Sequence, residues 1–371
     1  MDVRWTRRKP RNQMLVNSFT SSSRLFQYDD FWIDNGFSIS PISLPLEHRL
    51  YTPYGYRPFD GLFGVFSDSL PDGWGRLLVD RMIRREGEDP LNLTSLDRLA
   101  IVGCSGMGAL EYRPESVMPA FSDSDDLDTL AKECSILFEG KESDNLYEIF
   151  NLGGSSGGAR PKVLLRREDG NWIVKFPSSI DLPEIGKEEY DYSIAARECG
   201  IEVPVTRLFE SDLCSGYFAT ERFDRKRDGK VHMVSAGGLL EVSHREPCLD
   251  YNSLMSLTHF MTHDSRAVEE MFRRLSFNVF AHNRDDHARN FAFLYDTELS
   301  EWKLSPAYDM TYSSSLGGEH ATSVNGNVRN PGKEDILAVG LKAKLDEAWC
   351  IDTMKDIEYK VHEMLGMYLE R

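Results

Sequence analysis

The sequence predicts an α+β protein of two lobes, the first rich in β-structure and the second helical, preceded by a small accessory subdomain. Three observations carry this. A glycine-rich stretch, Gly153 to Gly158, leads into two short apolar strands with Glu-Asp-Gly-Asn between them, which reads as an antiparallel hairpin. Beyond residue 225 the apolar residues recur mostly at helical spacing. Residues 24–110 alternate short apolar runs with Pro and Gly, unlike either later part. The resulting division is 1–120 for the accessory subdomain, 121–225 for the β-rich lobe and 226–371 for the helical lobe.

In chain order, SPISLPLEHRLY reads as extended chain and turns. Leu77, Leu78, Met82 and Ile83 then place a helix from near Trp74 to near Gly87, and LNLTSLDRLAIVG reads as a second, shorter helix. The acidic run from Phe121 to Asp128 reads as a solvated boundary loop, with a helix from Asp128 to Phe138 after it. Val163–Leu165 and Trp172–Phe176 form the hairpin strands. Residues 188–199 are helical, and VPVTRLFE and GYFATERF are two further strands. NFAFLYD and EWKLSP interrupt the later helices as a short strand pair.

The 371 residues are 41% hydrophobic and 28% charged, as in an ordinary globular protein with room for a substantial core. A net charge of −17 argues against gripping nucleic acid through the overall field. The basic cluster from Arg4 to Arg11 reads as a short solvated arm. The six cysteines form no CxxC pair, which argues against zinc and for reduced thiols in the cytoplasm. No secretory apolar region and no run near the roughly 18 residues of a membrane span is present, so a cytoplasmic protein that does not engage membranes is expected.

The residues that carry chemistry fall in four places. In His282-Asn-Arg-Asp-Asp-His-Ala-Arg-Asn290, Asp285 and Asn290 stand five apart. That spacing suits a carboxylate that orients an attacking hydroxyl and an amide that reaches Mg²⁺ on phosphates. A charged turn after a helix explains the cluster equally well on its own. Asp309, in Leu304-Ser-Pro-Ala-Tyr-Asp309-Met, follows the strand pair where a second Mg²⁺ ligand is needed; a turn-capping Asp is the plainer alternative. The stretch Gly153-Gly154-Ser155-Ser156-Gly157-Gly158 would let backbone N–H groups approach a phosphate, or act as a flexible linker. Lys175, on the hairpin's second strand, suits the phosphates of ATP, though a strand lysine can simply reach for solvent. Lys162 competes with it, and Glu188, Glu189 and Glu198 are all candidates for its helix partner. No Rossmann fingerprint, HExxH or G-x-S-x-G occurs, and the spacing of His282 and His287 does not put them on one helix face.

Together these segments resemble the HipA family of serine/threonine kinases, over roughly Phe26 to Gly340. LFQYDDFWIDNGFSISPISLPL and FGVFSDSLPDGWG are similar to its N-terminal subdomain, GGSSGGARPKVLL to its phosphate loop and ATERFDR to its hinge. AHNRDDHARNFAFL and WKLSPAYDM are similar to its catalytic and metal-binding motifs. The resemblance implies a bilobal, protein-kinase-like fold and an ATP- and Mg²⁺-dependent toxin. Asp285 would be the catalytic base, Asn290 and Asp309 would hold Mg²⁺, and Lys175 would contact the phosphates. Glu221 and Phe223 would line the adenine hinge, His287 would lie beside the phosphates and Tyr308 near the nucleotide. It further implies an aminoacyl-tRNA synthetase as the protein substrate and a HipB-like DNA-binding antitoxin, through which alone the chain would meet DNA. Autophosphorylation would fall on Ser155 or Ser156. Two departures stand out: Asp286 occupies a position where many relatives have glycine, and HMVSAGGLLEVSHREP replaces an acidic stretch after ERFDR. A small-molecule kinase, or an inactive nucleotide-binding module of a repressor complex, are the alternatives.

Overall fold

The structure is a computed structural model; it describes residues 2–5, 13–14, 24–113, 115, 126–153, 157–227, 229–246 and 248–370. Most of the acidic run (121–125), most of the basic cluster (6–12) and Gly154, Ser155 and Ser156 lie outside the described residues. The chain divides into two compact units, residues 1–187 with 207–233, and residues 188–206 with 234–371.

The first unit opens with a correction. Asp2–Trp5 is a strand, so Arg4 belongs to a sheet and not to a free arm. It lies between Gln13–Met14 and Leu110–Arg113, antiparallel to both, with Val3 opposite Tyr112. Backbone pairing on both sides fixes the segment in the sheet. The helix Gly73–Arg85 buries Trp74, Leu78, Val79 and Met82 along one face, and Arg84 and Arg85 sit in its last turn, where cations favour the dipole. Ser95–Val102 starts on a Thr94/Asp97 capping box.

The hairpin strands Lys162–Arg167 and Gly170–Lys175 turn on two residues, with Arg167 opposite Gly170. They continue into a four-stranded sheet through Tyr217–Glu221 and then Thr206–Phe209. Period-two alternation puts Val163, Leu165, Trp172 and Val174 on one face. There they share a core with Leu130, Leu137, Ile149 and Phe150 of the helices Leu127–Phe138 and Leu146–Gly153, and with Trp74 and Leu78. The opposite face carries Lys162 and Lys175.

The second unit packs the helices Tyr251–Thr262, Ser265–Phe280, Lys333–Lys342 and Glu347–Leu369 beside the antiparallel pair Ala292–Asp296 and Glu301–Leu304. Tyr192, Ala195 and Ala196 bury against Phe277, Ile357, Val361 and Leu365. No described helix is long and apolar enough to cross a membrane.

Candidate active site

In the first unit, Gly153 corrects the expected glycine loop: it is the last residue of the helix Leu146–Gly153. The helix reaches this far because a glycine fits there against the next strand; a Cβ would come 2.5 Å from the Lys162 carbonyl. Gly157 and Gly158 lie in the loop. The Gly158 N–H donates to Asp72 Oδ1 at 2.5 Å, and its carbonyl accepts from the Trp74 N–H at 2.9 Å. Gly73 makes the approach possible. It holds φ +40°, and a Cβ there would collide with the Gly158 carbonyl. The Trp74 indole N–H reaches the Lys162 carbonyl at 3.0 Å.

Lys162 and Lys175 stand directly opposite each other in the hairpin register. The Lys162 side chain is buried, and its Nζ donates to the Gly157 carbonyl at 2.6 Å. Lys175 is half-buried, its ammonium 5.5 Å from the centre of the Phe218 ring. Like charges directly across a strand pair repel; an anion on that face relieves the repulsion. Of the candidate helix glutamates, Glu198 is exposed, while Glu188 and Glu189 are buried.

Glu221 closes its strand opposite Trp172, and Phe223 follows it, half-buried. Between and after them lies a cluster that the sequence reading did not single out. Asp224 is fully buried and forms a two-pronged pair with Arg222, at 2.9 and 2.8 Å. It also accepts from Arg225 and from the Gly108 N–H, each at 2.7 Å. Burial pushes the Asp224 carboxyl up; the two guanidiniums and the Gly108 N–H outweigh it and hold the group below the usual carboxylate range. Arg225 also donates to the carbonyls of Gly106 and Gly108, so the ERFDR segment is fastened to the first hundred or so residues.

In the second unit, the helix Ser265–Phe280 ends at Ala281, and His282 turns the chain at φ +53°. The loop then folds on itself. The Asn290 N–H donates to the His287 carbonyl, and Asn290 Nδ2 donates to the Asp285 carbonyl, both at 2.8 Å. Tyr308 donates its hydroxyl to the Arg289 carbonyl at 2.5 Å, which ties the Asp309 segment to the loop. Asp309 itself holds φ +54°, a conformation uncommon outside glycine. Farther on, the Ser313 N–H bonds the His282 carbonyl at 3.0 Å. The structure thus brings Asp285, His287, Asn290, Tyr308 and Asp309 into one loop system. The His287 ring lies 5.4 Å from that of His244, in the segment that departs from the family pattern.

The C-terminal residues 154–365 match the family model of the HipA-like C-terminal domain, and residues 14–113 match that of the HipA N-terminal domain. The chain belongs to the HipA family. Among curated relatives, a candidate kinase of Haemophilus influenzae is 29% identical over 180 positions, 42% of this chain and 52% of that protein. The match therefore spans about half the length of that relative. A candidate kinase of Sinorhizobium fredii is 26% identical over 324 positions, 77% of this chain and 71% of that protein. The HipA-type fold recurs in the Shewanella oneidensis toxin–antitoxin complex of HipA, HipB and operator DNA: TM-score 0.70, 17% identity, 96% of this chain and 89% of that one. The HipA-like kinase fold, α+β with β-rich and helical parts, is the fold of this chain.

Proposed function

We propose that this HipA-family chain is an ATP- and Mg²⁺-dependent kinase that phosphorylates a serine or threonine of a protein. One observation carries the reading. Asn290 commits its Nδ2 to the Asp285 carbonyl, which turns its amide oxygen into the atom able to meet a cation, five residues from the Asp285 carboxylate. The donor set suits Mg²⁺, which takes one or two hard protein oxygens and completes its shell with water and phosphate oxygens. Asn290 and Asp309 would hold it, and it would neutralise charge on the phosphates. Asp285 would orient the substrate hydroxyl and accept its proton. Lys175 would bind the phosphates, with Gly157, Gly158 and the neighbouring Gly154, Ser155 and Ser156 around them; Glu221 and Phe223 would meet the base. Catalysis would be positioning plus charge neutralisation.

The finer reading follows the family: an aminoacyl-tRNA synthetase as target, and a HipB-like antitoxin that carries the DNA contact. The net charge of −17 supports an indirect DNA contact. A phosphate on Ser155 or Ser156 would add about −1.5 to −2 charges inside an anion-binding loop and repel ATP. The test is labelling of protein with γ-labelled ATP and Mg²⁺ in a cell extract, beside Asp285→Asn. Label that the variant loses, on a target and on Ser155 or Ser156 by mass analysis, is the expected result. Label on a small metabolite instead, or none from folded, unphosphorylated protein, rejects the reading.

A further inference from the structure

We propose that Asp286 is a positioning residue that holds the catalytic loop from behind, and that its carboxylate is required for turnover and not for nucleotide binding. The inference rests on the reading of Asp285 as the residue that orients the hydroxyl. Asp286 is its neighbour and is only 1% exposed. Three donors meet the buried carboxylate: the Tyr251 hydroxyl at 2.9 Å, His320 Nδ1 at 3.0 Å and the Thr322 N–H at 3.1 Å. The Asp286 carbonyl also accepts from the Thr322 hydroxyl. The Ala321 N–H bonds the Arg284 carbonyl at 3.0 Å, so the residues on either side of Asp285 are both fixed to segment 320–322.

The network has a fixed polarity. A carboxylate only accepts, so Tyr251 must donate to it. Tyr251 then accepts from Asn278 Nδ2 at 2.8 Å, and Asn278 Oδ1 accepts from Asn283 Nδ2 at 2.9 Å. Burial and the nearby Asp286 charge hold the Tyr251 hydroxyl protonated, as this direction requires. The chain of donors therefore starts and ends in the catalytic loop, at Asn283 and Asp286, and is anchored between them on two helices. An amide at position 286 keeps the shape but turns an N–H₂ toward a donor, whichever way it flips. Glycine at the same position has nothing to offer these donors, so a loop with glycine there must be held by other means.

The test compares full-length wild type, Asp286→Asn, Tyr251→Phe and Asp285→Asn by steady-state phosphoryl transfer, nucleotide binding and amide hydrogen exchange. Misplacement of a reacting group costs on the order of 10- to 100-fold in rate. Asp286→Asn is expected to lose that much in kcat with ATP affinity within about twofold of wild type. Exchange in residues 283–286 should speed up while the helix Glu347–Leu369 stays protected. Tyr251→Phe should give a smaller loss of the same kind. Wild-type kcat in Asp286→Asn overturns the inference, and so does a loss of protection throughout the second unit, which would make the residue a general stability element. Should wild type transfer no phosphate, the kinase reading fails by itself; unchanged loop exchange in Asp286→Asn would then overturn the positioning role independently.

Discussion

Two ammonium groups facing each other across a strand pair cost energy unless something on that face repays it. Lys162 and Lys175 are such a pair, yet their surroundings assign them different work. Lys162 is buried and holds the Gly157 carbonyl, so it shapes the loop. Lys175 is half-buried and stands beside Phe218. Lys162→Met should leave a carbonyl without its donor and lower unfolding stability by about 1–3 kcal/mol, with weaker ATP binding as a consequence. Lys175→Met should weaken ATP binding at least as much with stability nearly unchanged. Urea unfolding beside ATP titration of both variants separates the two roles; equal stability losses would argue against the division. The strand position of Lys175 was legible in the sequence. The task of Lys162 was not, because its partner is a loop carbonyl whose position depends on the path from Gly157 to Gly158.

At the scale of elements, the sequence showed several helices and strands from a single period of burial. The hairpin, the helices at Trp74 and Asp128, and the late strand pair stand where periodicity put them. It missed the strand Asp2–Trp5, one of whose two partners lies more than a hundred residues away, and the whole helix Leu146–Gly153, which ends inside the expected glycine loop. It also missed the meeting of the Asp72-Gly73-Trp74 turn with Gly158, because a glycine required by a close approach looks like any other turn glycine. That contact yields a prediction with its own control. Gly73→Ala adds φ strain and a collision with Gly158, whereas Gly87→Ala adds φ strain alone, since nothing lies within 4 Å of a Cβ there. Each should cost roughly 1–3 kcal/mol in stability. Only Gly73→Ala should also weaken ATP binding, several-fold, by displacing the loop. Equal ATP affinities in the two variants would show that the turn does not set the loop.

At the scale of the whole chain, falling pH pulls stability in two directions. The net charge of −17 declines as carboxylates protonate, which relieves self-repulsion and favours the compact state. His232 opposes this in the first unit. Its ring is buried, 5.5 Å from the Phe37 ring, with Nε2 2.8 Å from the Ile39 carbonyl nearly two hundred residues earlier in the chain. Burial pushes its pKa down from 6.5 to about 4, against the smaller opposing effect of the Ile39 carbonyl. The folded state therefore binds a proton less readily than the unfolded one. Stability from this group is complete above the unfolded value and drains away as pH falls from 6.5 toward 4, by about 2 kcal/mol at around pH 5. His232→Gln keeps a donor for Ile39 without a titrating ring. The difference in unfolding free energy between wild type and this variant removes the charge term common to both, and it should shrink by that amount on acidification from about pH 7 to about pH 5. A difference independent of pH would mean that the ring takes up its proton equally readily in the folded and the unfolded chain, and that burial beside Ile39 does not disfavour its charged form.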